Sequence, residues 1–111
     1  MQTYKLPNAA ASVLTVSTTA LSLNTAISTA ASETVSLPLD LNAIDLQVTA
    51  EDVTILYDGN TPTAANGLIA GQTYDTKALS LRGISLDKLQ MIRTGGSDAT
   101  VRIQVGRTNT V

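Results

Sequence analysis

From Asn42 to Thr49 apolar and polar side chains alternate: Ile44, Leu46 and Val48 fall on one face, Asp45 and Gln47 on the other. A period of two belongs to a strand with one buried face, because successive side chains of an extended chain point to opposite sides. The period recurs from Ala99 to Val105, where Val101, Ile103 and Val105 oppose Arg102 and Gln104. Sheets of this kind must bury their apolar faces against something. With no Phe, Trp or Cys in the chain, the core has to be built from Val, Ile, Leu and Ala. The 17 Thr favour strands, since β-branched side chains suit a pleated, half-buried surface. The 14 Ala pull toward helix.

Further strands are expected on the same grounds. Thr34 to Leu41 alternates, with Val35, Leu37, Leu39 and Leu41 inward and Pro38 outward; a residue without an N–H places this run at an edge. Val53 to Tyr57 follows through a short hairpin at Thr49–Asp52 and ends at the turn pair Asp58-Gly59. Asn60 to Thr63 extends that loop, with Pro62 fixing its backbone. Gly67 and Gly71 bracket the apolar pair Leu68-Ile69, Thr73 to Leu81 reads as a strand stopped by Arg82-Gly83, and Lys88 to Thr94 reads as another. Gly95 to Asp98 is a hairpin turn leading to the strand from Ala99. Ser12 to Val16 reads as a strand. From Ser17 to Ser32 a strand at 20–23 competes with a helical turn using Leu23 and Ile27, and the abundance of Thr and Ser favours extended structure. The expectation is one all-β domain, an antiparallel β-sandwich with the jelly roll among its arrangements, of about eight short strands. It spans residues 12–106, with an N-terminal arm at 1–11 and a C-terminal tail at 107–111.

Chemistry is sparse. There is no His and no Cys, which removes the commonest bases, nucleophiles and transition-metal ligands. A glycosidase-like carboxylate pair remains conceivable from Asp45, Asp52, Asp58, Asp75, Asp87 and Asp98. These stand beside turns or on outward faces, where Asp is ordinarily a solvated turn residue. Asp58-Gly59-Asn60-Thr61 could present oxygens to Ca²⁺, but it brings one carboxylate where such loops bring several. Gly95-Gly96 lacks the spacing, Lys and following helix of a phosphate loop. Tyr57 and Tyr74 could stack on a sugar, though Tyr57 alternates with Val53 and Ile55 and fits a core or rim role. The reading is of no enzyme, no cofactor and no metal.

The net charge of −2 and four scattered Arg give no basic footprint for nucleic acid. Ala9 to Leu23 is broken by Ser and Thr and reads as mature sequence rather than a signal peptide, and no apolar run reaches membrane-spanning length. With 14% charged residues, the surface suits a protein that covers itself with partners. Arg82, Arg93, Arg102 and Arg107 read as a solvated sheet face or as inter-subunit pairs with Asp or Glu.

One stretch resembles a known family. A strand, Asp52 to Tyr57, leads into Asp58-Gly59-Asn60-Thr61-Pro62-Thr63 and then Gly67. Ala70-Gly71 follows, then Leu89-Gln90-Met91-Ile92-Arg93-Thr94-Gly95-Gly96-Ser97-Asp98-Ala99 and a closing alternating strand. This order, over residues 42–106, resembles small structural proteins of tailed bacteriophages. The resemblance implies a virion component: a capsid decoration or cement protein, a head-fibre base or a tail accessory. It further implies a β-sandwich that associates with itself, as a trimer, and with the major capsid protein or other virion proteins. It transfers no catalytic residues. The Asp58–Thr63 loop after a Tyr-bearing strand is also similar to immunoglobulin-like domains appended to chitin- and hexosamine-degrading enzymes, but the Pro that follows there is absent here, where Leu68-Ile69 stands. The alternative reading is a carbohydrate- or host-surface-binding module using Asp58, Gly59, Pro62, Thr63 and Gly67 with Tyr57 or Tyr74.

Overall fold

The computed structural model describes residues 1–108. Its strands are β1 (Gln2–Thr3), β2 (Val13–Val16), β3 (Leu21–Ser22), β4 (Ala43–Ala50), β5 (Asp52–Leu56), β6 (Leu68–Gly71), β7 (Ala78–Arg82), β8 (Gln90–Arg93) and β9 (Ala99–Arg107). One α-helix, α1 (Leu23–Ala31), follows β3 directly, and short 3₁₀ turns cover Ala9–Ser12 and Leu86–Lys88.

The strands form an antiparallel ribbon rolled into a sandwich. β2 pairs β9, β3 pairs β8, β4 pairs β7 and β5 pairs β6. Rolling adds the pairs β4–β9 and β5–β8. The result is one sheet ordered β2-β9-β4-β7, with β1 beside β2 on the same edge of β9, and a second ordered β3-β8-β5-β6. This is a jelly roll, so the expected all-β sandwich stands. The inner faces meet in an aliphatic core that includes Leu14, Ile44, Val48, Val53, Ile55, Leu89, Val101 and Val105, all 1% exposed or less. β4 and β9 alternate as read: Ile44, Leu46, Val48, Val101, Ile103 and Val105 are buried, while Gln47, Arg102 and Gln104 are exposed.

Several local readings need correction. Thr49–Asp52 is not a hairpin. β4 and β5 lie in different sheets, and the chain turns the corner between them at Glu51, whose φ is 60°. Gly95–Asp98 likewise carries the chain from β8 in one sheet to β9 in the other. Turn residues mark where a chain reverses but not which sheet receives the next strand. The strand expected over Thr73–Leu81 begins only at Ala78, because Gly71 N donates to Thr76 O and closes a loop there.

Residues 17–32, read as extended, contain α1. Leu23, Ile27 and Ala31 recur every four residues and are all buried, which places them on one helical face. The Ser22 hydroxyl accepts from Thr25 N and caps the first turn, and Ser32 ends the helix in the left-handed region. Burial of that face outweighs the modest intrinsic preferences of Ser and Thr.

Thr34–Leu41 alternates without being a strand. Val35, Leu37 and Leu41 are buried but Leu39 is 86% exposed. The segment's backbone is held by α1 instead of a ladder. Val35 N donates to Ser28 Oγ at 2.8 Å, Ser28 Oγ donates to Val35 O at 3.1 Å, and Leu37 N donates to Asn24 Oδ1 at 3.1 Å. Pro38 has no N–H to extend a ladder, and its carbonyl accepts from Leu41 N in a turn. Replacing Ser28 with Ala removes both bonds and leaves Val35 N without this partner, so Ser28→Ala is expected to cost about 1–3 kcal/mol. The check is a lower urea midpoint at unchanged slope.

The first residues, expected as an arm ordering on a partner, lie along the chain's own β9: Gln2 pairs Arg107, Thr3 pairs Gly106, and Tyr4 N donates to Val105 O. Gly106 permits this approach, since a Cβ there would stand 2.9 Å from the Gln2 carbonyl carbon. Of the expected tail, Arg107 belongs to β9 and Thr108 N donates to Asn42 Oδ1; residues 109–111 lie outside the described residues.

The topology sorts the connections. β3–β4, β5–β6 and β7–β8 are joined at one end of the sandwich, and β2–β3, β4–β5, β6–β7 and β8–β9 at the other. Contacts between loops agree. A Cβ on Gly59 in the β5–β6 loop would lie 3.8 Å from Lys88 Cδ in the β7–β8 connection. Leu37, Pro38 and Leu39 share a crevice with Leu86 and Asp87.

Candidate association surface

The two outward sheet faces differ in kind. Registers place Asp45, Gln47, Ser80, Ala78, Arg102 and Gln104 outward on β4, β7 and β9. Ser12 and these residues line a shallow groove of about 440 Å³. The other outward face pairs Thr54 with Ile69 on one side and Ile92 on the other, with Leu56 following on β5. An outward face in water ordinarily alternates to polar residues; this one sets the aliphatic Leu56, Ile69 and Ile92 among Asp52, Thr54 and Gln90. Thr54 itself is fully buried, its hydroxyl 2.9 Å from that of Thr94.

Further apolar side chains are exposed at the loop end of β5 and β6, where Leu68 shares the side of Ile55 and Ile69 that of Thr54. Leu68, Ile69 and Tyr57 are 45%, 38% and 36% exposed. Ile55, Leu56, Tyr57, Asp58, Gly67 and Leu68 enclose an open depression of about 300 Å³. β6 is also an edge strand. Gly71 N donates to Thr76 O rather than to β5, so the alternation of an antiparallel ladder turns the Ile69 N–H and C=O toward the free side. Unpaired edge groups beside apolar side chains form a template for another chain.

The loop residues singled out in the sequence do structural work at this depression. Asp58 folds an Asx turn: its carboxylate accepts from Asn60 N and Asn60 Nδ2, both at 3.0 Å. Those two bonds, backbone first, hold the Asp58 carboxyl below its ordinary value. Pro62 is buried, Thr63 Oγ1 accepts from Ala65 N, and Thr63 bridges to Asn66 in a tight turn. Gly67, at φ 124°, presses its Cα side against the Ile55 carbonyl and the Thr54 methyl. Tyr57 and Tyr74 do not share a platform. One follows β5 at the loop end and the other sits in the β6–β7 connection at the opposite end.

Three of the four arginines are engaged within the chain. Arg82 Nη2 lies 2.8 Å from Asp45 Oδ1 across β4 and β7. Burial pushes the Asp45 carboxyl up, but hydrogen bonds from Arg82 and Ser80 outweigh it and leave the group below its ordinary value. Arg93 Nη1 reaches Asp98 Oδ1 at 2.7 Å. Arg107 grips Asp40 in a fork, Nε to Oδ2 at 2.6 Å and Nη2 to Oδ1 at 3.0 Å. Arg102 is the arginine without a carboxylate partner among the described residues. The Asp40–Arg107 pair joins residues 67 apart, a pairing that no local pattern announces.

The Arg107 hydrogen bond lowers the Asp40 carboxyl below its ordinary value of 3.8. A carboxyl depressed on folding contributes stability at pH above its unfolded value, and the contribution is lost as pH falls through the folded value. Asp40→Asn is therefore expected to lower the melting temperature slightly at neutral pH and low salt. The difference should shrink in high salt and disappear toward pH 2, because the pair is exposed and screened. Melting curves of both proteins across pH and salt check this.

Among the described residues no three His, Cys, Asp or Glu gather where a metal could be held, and no helix is long and apolar enough to cross a membrane. No protein-family model, curated protein or solved structure matches the chain.

Proposed function

We propose that the chain is a non-enzymatic structural protein of a tailed-phage virion, a capsid decoration or cement protein that forms a homotrimer and stabilises the particle by binding the major capsid protein. The observation that carries this reading is the group of exposed apolar side chains, Tyr57, Leu68 and Ile69, at the loop end of β5 and on the edge strand β6. Contiguous apolar surface beside an open strand edge marks a protein that associates. The sparse charge and the order of turn residues over 42–106 point the same way. The jelly roll is compatible with capsid architecture, as it is with other roles. The test is immunoelectron microscopy with antibodies to the purified chain, on particles pelleted from lysates of cells that encode it. Regular labelling of heads is expected; label confined to the soluble fraction contradicts the assignment.

A carbohydrate-binding module is the second reading, favoured by the polar groove on the opposite face. There Arg102 has no carboxylate partner among the described residues, and Gln47 and Gln104 flank it on the sheet, a set of donors suited to hydroxyl or carboxylate groups. This reading requires saturable glycan binding that is lost on Arg102→Ala.

A further inference from the structure

Leu39 is the most anomalous side chain of the described residues. It is 86% exposed, about twice as exposed as any other large apolar residue. Its exposure does not come from a loose loop. Leu37 N is bonded to Asn24 on α1, Leu41 N closes a turn onto Pro38 O, and Asp40 is forked by Arg107 at the end of β9. Pro38 stiffens the turn from within. Leu39 is thus a knob held outward by its neighbours on both sides.

The same end of the sandwich carries a hole. The depression framed by Ile55, Leu56, Tyr57 and Leu68 holds about 300 Å³, ample for one leucine side chain. It depends on Gly67, where a Cβ would stand 2.6 Å from the Ile55 carbonyl oxygen. Knob and hole flank the same turn: Leu39 borders Leu86 and Asp87, and Gly59 of the loop beneath the hole borders Lys88. Within one chain the rigid turn keeps Leu39 outside this depression, since neither of the two crevices is lined by residues of the other.

We infer that Leu39 of one copy inserts into the Ile55–Leu68 depression of a second copy. The inference rests on the self-association proposed above and names its contact. The occupant is a second copy because the chain itself supplies the complementary knob, already fixed in place. A preorganised contact loses little freedom on binding. Any closed symmetric assembly built on this contact places every Leu39 and every hole in use.

The experiment is molar mass by light scattering across a dilution series, on the full chain and three variants. Leu39→Asp and Leu68→Lys are each expected to shift dissociation to at least 10- to 100-fold higher concentration, the range for losing one buried leucine, with melting curves showing each still folded. The double variant Leu39→Asp with Leu68→Lys is expected to recover association, since it places opposite charges in the contact. An oligomer in which Leu39→Asp changes nothing overturns this contact while leaving self-association standing. A folded wild-type chain that is monomeric throughout overturns both. Failure of the double variant to recover any association also counts against the pairing of these two residues.

Discussion

Truncating Ile27 to Ala is expected to destabilise the fold by about 2–5 kcal/mol and to lower the melting temperature by roughly 10–20 °C. Ile27 is fully buried at the centre of the apolar face of α1, between Leu23 and Ala31. Alanine is the better helix former by a few tenths of a kcal/mol. The intrinsic effect on the helix therefore runs against the predicted loss, and what is measured is packing. An exposed or extended segment over 17–32 would tolerate the change or gain from it. Calorimetry of the variant decides between the two.

Replacing Gly67 with Ala is expected to cost about 2–4 kcal/mol through a left-handed backbone and a steric clash together. The new Cβ would stand 2.6 Å from the Ile55 carbonyl oxygen and 2.9 Å from the Thr54 methyl, at φ 124°. The Ile55 oxygen is backbone in a central strand and cannot swing aside. Gly96→Ala serves as the control, since nothing lies within 4 Å of its would-be Cβ and its φ is outside the left-handed range; its stability should stay within about 0.5 kcal/mol of the parent. Equal effects of the two substitutions in urea titrations would show that the approach of the loop to β5 is misplaced.

The contrast between these residues marks how far the sequence could be read. Period-two alternation located β4 and β9, because each presents one face to a sandwich core and one to water. It could not reveal partners. Thr49–Asp52 and Gly95–Asp98 carry the residues of hairpin turns, yet both are corners between sheets. Which sheet a strand joins depends on the rolled ribbon as a whole. The helix left a signal in the spacing of Leu23, Ile27 and Ala31 and in Ser22 before it. Composition outweighed that signal, since Ser and Thr rank low for helices when burial is unknown. Val35 and Leu37 were placed inward correctly, but their backbone partners are side chains of α1 seven and 13 residues away. Leu39, read as inward by parity, faces out because the turn at Pro38–Leu41 breaks the period.

For the candidate site, the loop from Asp58 to Gly67 was legible as turn chemistry, and each of its marked residues has a local conformational role. The arginines were legible only as a set. Arg82, Arg93 and Arg107 find Asp45, Asp98 and Asp40 within the chain, and the pairing to Asp40 is the longest in range. The grouping of Leu56, Ile69 and Ile92 on one face could not be read from the sequence, because they become neighbours only when β5 is flanked by β6 and β8.

The central claim is that this jelly roll functions by associating with itself, through apolar surface that one copy leaves open. Its most direct test is the molar mass of the purified wild-type chain in solution, followed by light scattering as the protein is diluted. The account predicts three times the 11.5 kDa of one chain, held through dilution into the micromolar range. A single folded species at the mass of one chain, at every concentration, would contradict it.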